Sequence, residues 1–219
     1  MLIRAMQNAG CILAFVGLTA FAASAFPAPE TRGQALQALV SPDAATRAEG
    51  VVWIANRGDM ADADLLHERL RDESPFVRGF AEQGLWLLWT RSGDADIDRA
   101  MALASEDIEA GEYGHAIDLL TEVVRKKPAY AEGWNRRATV YYLAGEYQKS
   151  IADCDEVLKR NPKHFGALSG LGQIYVQLEQ YDEALKWFRR ALEVNPNMLG
   201  VEMNIRRIEE ELKKKRLAI

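Results

Sequence analysis

Apolar and small residues recur through the second half of the chain with a fixed spacing of 34 positions. Pro128, Pro162 and Pro196 mark the period. Tyr113, Tyr147 and Tyr181 keep it, as do Ala116, Ser150 and Ala184, then Leu120, Cys154 and Phe188, then Val123, Val157 and Ala191. Inside one period the pattern is helical: Trp134, Arg137, Ala138 and Tyr141 fall at i, i+3, i+4 and i+7, which is one stripe of a helix. Ala144-Gly145 breaks that helix. A second one is predicted from Tyr147 to Arg160, with Ile151, Cys154, Val157 and Leu158 inward. Asn161-Pro162 ends it, because the residue before proline is pushed out of the helical region. Small residues (Ala104, Ala138 and Gly172 in the first helices, Ala116, Ser150 and Ala184 in the second) sit where two helices approach closely.

A helix pair used three times, over 97–130, 131–164 and 165–198, buries its apolar faces only by stacking on its neighbours. The last unit then needs a cover. Val201, Ile205, Ile208 and Leu212 make an apolar stripe, with Glu202, Arg206, Glu209, Glu210 and Lys213 facing away, so 199–219 reads as a capping segment whose helix runs to about Leu217. The Lys213–Arg216 cluster follows Glu209–Glu211 and reads as a solvated helix end.

The preceding stretch, 26–95, carries no lysine, the first being Lys126, which marks it as a separate unit. Its pattern predicts helices at about 32–40, 44–57, 61–71 and 75–91. Arg47, Gly50, Trp53 and Ile54 return as Arg78, Ala81, Gly84 and Leu85 at an offset of 31. Leu85-Trp86-Leu87-Leu88-Trp89 is apolar on every side, so that helix is buried on both faces or meets a partner. Burial against the first repeat is expected, since the irregular helix at 97–109 lacks a cover.

The repeat positions resemble the tetratricopeptide (TPR) family, whose pattern places Trp, Leu-Gly and Tyr in the first helix and Ala, Phe, Ala and Pro in the second. The third unit matches with Leu168, Leu171-Gly172, Tyr175, Ala184, Phe188, Ala191 and Pro196. The second keeps Trp134, Ala138, Tyr141 and Pro162 but has Arg137 at the Leu place and Cys154 at the Phe place. The first departs most, with Ala100, Leu103-Ala104 and Asp107. The stretch Leu70–Arg78 is similar to a HEAT-type repeat, with an Asp-x-x-Pro turn before a Val-Arg helix start. The resemblance implies an all-α, right-handed helical-repeat solenoid preceded by HEAT-like helix pairs, which could stack on it as one continuous superhelix.

The TPR resemblance further implies a concave surface lined by the first helices. Carried over by position, it presents Met101, Ser105 and Ile108, then Asn135, Arg136, Thr139 and Tyr142, then Ser169, Gln173, Val176 and Gln177. Asn135 and Gln173 suit a backbone amide, Arg136 a carboxylate, and Tyr142 offers a rigid anchor. Each also reads as a solvated groove residue, and Tyr142 as one lying on a neighbouring helix. The lysine–asparagine clamp of chaperone-tail binders is missing, because Met101, Glu132 and Gly166 stand where its donors would help.

Composition narrows the rest. Arg4, the apolar run Cys11–Ala23 and Ala23-Ser24-Ala25 read as an export signal cleaved after Ala25, the run being short for a membrane anchor. Loss of Arg4 with that segment takes the net charge from −5 to −6, which gives no pull toward nucleic acid or anionic membranes. Cys154 would then be the single cysteine, with no disulfide to form and a small buried hydrophobe its expected role.

His67, His115 and His164 are scattered, and no nucleophile, phosphate-loop or zinc-protease motif is present. Asp94, Asp96 and Asp98 open like a calcium loop, but Arg99 stands at the glycine place and Ser105 at the glutamate place, so helix capping is the expected role. The reading is a periplasmic or otherwise exported, non-enzymatic scaffold with no cofactor or metal that binds a protein or peptide through the groove. The alternative is a self-assembly module using the solenoid ends or the Trp86–Trp89 surface. The oligomeric state and the partner stay open.

Overall fold

The computed structural model describes residues 28–217; the expected export segment lies outside them. All regular structure among them is helical. The helices are α1 (Arg32–Leu39), α2 (Ala44–Arg57), α3 (Ala63–Arg69, entered through a short 3-10 turn at Met60–Asp62), α4 (Pro75–Thr90), α5 (Ala95–Ala110), α6 (Tyr113–Lys126), α7 (Ala131–Leu143), α8 (Tyr147–Arg160), α9 (Phe165–Gln177), α10 (Tyr181–Val194) and α11 (Leu199–Leu217).

Local chemistry starts and stops them. Thr31 and Gln34 form a reciprocal capping box on α1, and Asp43 accepts the Thr46 N–H at the head of α2. Pro75 stands at the first position of α4, where a missing N–H costs nothing. Asp94 caps α5, accepting from the backbone of Asp96 at 2.9 Å and Ile97 at 3.2 Å. The three first helices α5, α7 and α9 end alike, with a left-handed residue at Gly111, Gly145 and Glu179. A long-range bond closes each turn, from Glu112 N–H to the Asp107 carbonyl (2.8 Å), Glu146 to Tyr141 (2.8 Å) and Gln180 to Tyr175 (2.9 Å).

The three pairs α5/α6, α7/α8 and α9/α10 stack as a helix-pair solenoid. Departures in the middle unit have structural reasons. Arg137, at the usual Leu place, makes a two-point ion pair with Asp153 of α8 (2.7 and 2.9 Å), reaches Thr121 of α6 at 3.1 Å, and lies over Trp134 and Tyr141. Ser150, at an Ala place, donates to the Ala138 carbonyl at 2.7 Å. In the third unit Gly172 lies so near Phe188 that a Cβ would overlap the ring. Val201, Ile205 and Ile208 of α11 are buried with Leu185, Phe188 and Ala191, and Leu212 packs at the edge, so α11 seals the open end.

α1–α4 form two antiparallel pairs around Leu39, Val51, Ile54, Leu66, Leu70, Val77, Leu85 and Leu88. Arg47 crosses from α2 to the α3–α4 turn in a buried two-point pair with Asp72, both contacts 2.8 Å, and donates to the Ser41 and Pro42 carbonyls.

The N-terminal pairs do not extend the stack. They turn back beside it, and α4 runs along the row of proline-bearing turns. Residues 130, 164 and 198 are equivalent, 34 apart, and each meets the N-terminal unit. Tyr130 donates its hydroxyl to the Thr90 carbonyl at 2.8 Å. His164 stacks on Trp89 with ring centres 4.2 Å apart. Met198 packs on the N-terminal core. Around them Lys127 donates to the Ser92 carbonyl, Lys163 pairs with Asp64 at 2.7 Å, Asn197 donates to the Leu70 carbonyl at 2.8 Å, and Arg71 reaches the carbonyls of Glu193 and Val194.

This corrects the expected place of Leu85–Trp89. Trp89 (4% exposed) is buried, but against His164 and Phe165 at the start of the third repeat, not against the first. Trp86 lies edge-on to both. The reason is direction: α4 leads into α5 through Arg91–Asp94 at the first repeat and therefore points back toward the third. The uncovered flank of α5 keeps Leu103 46% exposed.

Candidate functional site

The expected groove face lies on α5, α7 and α9, and α4 forms a border to it where it meets α7. At the centre of that border Glu132, the second residue of α7, is buried to 1% exposure. Its carboxylate accepts from Asn135 Nδ2 at 3.0 Å and from His164 Nε2 at 3.2 Å, with Arg136 Nη2 at 3.5 Å. His164 Nδ1 accepts the Ala167 N–H at 3.0 Å, so Nε2 is the nitrogen that donates to Glu132. Burial pushes the Glu132 carboxyl up, but the His164 hydrogen bond and the Arg136 charge outweigh it and hold the group below its ordinary range. His67 of α3 lies beyond Trp89, buried with its Nδ1 unpartnered among the described residues. Burial, then the charge of Lys163, lowers its pKa to about 4.

Seven of the eleven residues expected to line the groove divide into two groups. Asn135 and Arg136 are engaged by Glu132 beneath the edge of α4. Arg136 is not satisfied there: its Nε is buried with no partner among the described residues, and its contact to Glu132 is long. It lines a shallow cavity of about 170 Å³ with Thr90, Asp98, Met101, Ala102, Ser105 and Tyr130. Higher on the helices Thr139 donates to the Asn135 carbonyl and Ser169 to the Gly166 carbonyl, both at 3.0 Å. Tyr142 meets the Tyr147 ring at 5.8 Å and hydrogen-bonds Gln177. It is half-buried against the α7–α9 core and so lies on a neighbouring helix while keeping one side open. Gln173 is half-buried and Gln177 exposed.

Residues that sequence reasoning did not place at the site are Thr90, Tyr130 and His164, which join α4 to the groove. Their signal was available: Tyr130 and His164 are large residues at the same repeat position. Gly166 is filled from outside, since a Cβ there would overlap the Trp86 ring. The Trp86–Trp89 surface is thus spent within the chain. The Cys154 thiol is pushed up to about 12 by burial, far from a thiolate. Asp94 caps a helix and Asp98 accepts from the Ser92 hydroxyl at 2.5 Å. Among the described residues no group of His, Cys, Asp and Glu could hold a metal, and no helix is long and apolar enough to cross a membrane.

Helix pairs stacked in this way are the architecture of helical-repeat proteins. Residues 130–197 match the tetratricopeptide repeat family, and this chain carries tetratricopeptide repeats. It is 35% identical over 108 residues to a TPR repeat-containing protein of Rhizobium etli, an overlap of 47% of this chain and 53% of the relative; the chain therefore spans about half of that relative's length. Among solved structures, the first TPR domain of Spaghetti (RPAP3), bound to an HSP90 peptide, superposes with a TM-score of 0.52 at 24% identity over 55% of this chain and 96% of that one. The Sgt2 TPR domain from Aspergillus fumigatus gives 0.53 at 21% identity over 56% and 83%.

Proposed function

We propose that this protein is a non-enzymatic adaptor outside the cytoplasm that holds a protein or peptide partner on the open half of its concave TPR face. The observation that carries this reading is the row Thr139, Tyr142, Ser169, Gln173 and Gln177. These side chains stay at least partly accessible while α4 covers the border below them, and they offer donors and acceptors to a peptide backbone without a net charge. The Spaghetti domain, solved with a peptide, is a structural neighbour that uses this fold for binding. Export rests on the sequence of residues 1–25. Of the two surfaces the self-assembly alternative offered, Trp86–Trp89 packs inside the chain, which leaves it the solenoid ends.

In-cell photocrosslinking from Thr139, Tyr142 and Gln173, with exposed Lys186 on the convex side as control, tests the groove. Discrete adducts from the groove positions alone support the reading, and identical patterns from groove and control end it. A reporter fused after residue 40 that is active only when exported tests the location.

A further inference from the structure

α2 carries two buried polar atoms that no described residue satisfies. Glu49 Oε2, an acceptor, and Trp53 Nε1, a donor, are both buried without a hydrogen-bond partner among the described residues. The neighbours of Glu49 at i±3 and i±4 on the helix are Ala45, Thr46, Val52 and Trp53, and none brings a charge to it. A buried carboxylate oxygen in this state favours a cation, and a buried indole N–H favours a carbonyl.

Glu49, Trp53 and Arg57 follow one another at intervals of four and form one ridge of α2. The Arg57 guanidinium lies 6.0 Å from the Trp53 ring centre, and its Nη1 donates to the Glu30 carbonyl at 3.4 Å. The chain ahead of α1 therefore meets this ridge at its Arg57 end. The residues before Glu30 are Phe26-Pro27-Ala28-Pro29. Their two prolines favour the extended polyproline conformation and leave the peptide N–H of Ala28 as the one donor to satisfy, so the segment can lie on a surface at little cost. In that conformation the chain advances about 3.1 Å per residue, or about 12 Å from Glu30 back to Phe26. The eight residues of helix from Arg57 back to Glu49 also rise about 12 Å. The two lengths match.

We propose that Phe26, made the first residue by cleavage after Ala25, folds back along this ridge, its α-ammonium pairing with the Glu49 carboxylate while a carbonyl of Phe26-Pro27 accepts the Trp53 Nε1–H. The charge that Glu49 lacks exists only in the processed chain, because in the precursor the Phe26 nitrogen is an uncharged amide, whereas a free α-amine is protonated at neutral pH. Removal of the leader thus completes the N-terminal unit. This inference rests on the export reading above and adds to it what the new terminus does.

The test uses residues 26–219, released from a fusion by a protease that leaves Phe26 first, as the parent and as Glu49→Gln. Acetic anhydride labels an α-amine only when it is unprotonated, and mass spectrometry of the N-terminal peptide reads the rate. A carboxylate beside the amine holds it protonated, so Phe26 should be labelled about tenfold more slowly in the parent than in Glu49→Gln. A synthetic peptide of residues 26–31 gives the rate of the undocked amine and needs no folded variant; the parent should be slower than this peptide by the same factor. Labelling should also lower the melting temperature of the parent and leave that of Glu49→Gln unchanged. If Phe26 in the parent reacts as fast as in the peptide, the docking is overturned. Mass measurement of the protein recovered from cells tests the reading beneath it. A first residue other than Phe26 ends that reading and the docking with it, whereas Phe26 at the terminus with equal labelling rates removes the docking alone.

Discussion

Replacing Glu179 with glycine should make this protein more stable. Three equivalent turns follow α5, α7 and α9, and their left-handed residues have φ of 80° at Gly111, 77° at Gly145 and 57° at Glu179. The closing hydrogen bond is the same in each, at 2.8, 2.8 and 2.9 Å, so the third turn forces a residue with a Cβ into the shape the others give to glycine. That conformation costs a non-glycine residue about 1–2 kcal/mol. Glu179 is exposed, so little packing is lost with its side chain. Glycine's greater freedom in the unfolded chain takes back roughly 0.5–1 kcal/mol. The net gain is about 0.5–1 kcal/mol, or a rise in Tm of about 1–4 °C for a protein of this size. Urea and thermal melts followed by circular dichroism read it directly. The mirror substitution, Gly145→Ala, should lose about 1 kcal/mol. The reasoning is refuted if Glu179→Gly is no more stable than the parent while Gly145→Ala is no less stable.

Two further outcomes concern the joint between the N-terminal pairs and the repeats. Trp89→Ala removes a ring stacked on His164 and packed on Trp86 and Phe165 and should cost about 3–5 kcal/mol in urea unfolding; a loss below about 1 kcal/mol would mean that α4 is not held as described. Burial lowers the His67 pKa from 6.5 to about 4, so the folded state resists protonating it. Stability from this residue is therefore complete above about pH 6.5 and declines as pH falls toward 4, by up to about 3 kcal/mol. A His67→Gln variant should flatten that part of the stability–pH curve, as seen in chemical denaturation at several pH values, whereas an unchanged slope would place its origin elsewhere.

The proline ladder and the tyrosines made the repeats legible because each lies where the helix period and the turn chemistry demand it. The same is true of the α11 stripe from Val201 to Leu212. Leu85–Trp89 announced burial but not its address. Helix periodicity says which faces are apolar, whereas the neighbour is set by the path of the chain through Arg91–Asp94 and by single hydrogen bonds such as Tyr130 to Thr90. Arg137 looked like a defect at a leucine position because its partner Asp153 lies on the next helix, 16 residues away. The groove list came from repeat position alone, so it contained Asn135 and Arg136 without the buried Glu132 that holds them.

α4 also acts as a ruler. A solenoid has no inherent length, since each unit touches only the next. Here one helix of 16 residues lies beside two successive turns, with Thr90 at the Tyr130 turn and Trp89 at the His164 turn, and the Leu70–Arg71 segment ahead of it meets the third turn, which carries Asn197. At about 1.5 Å per residue that helix is roughly 24 Å long. An inserted fourth repeat would leave a turn with no helix beside it, and a deleted one would leave Trp89 with no turn to stack on. Gain and loss of units, the usual way such arrays change, is closed to this protein unless α4 changes length in step.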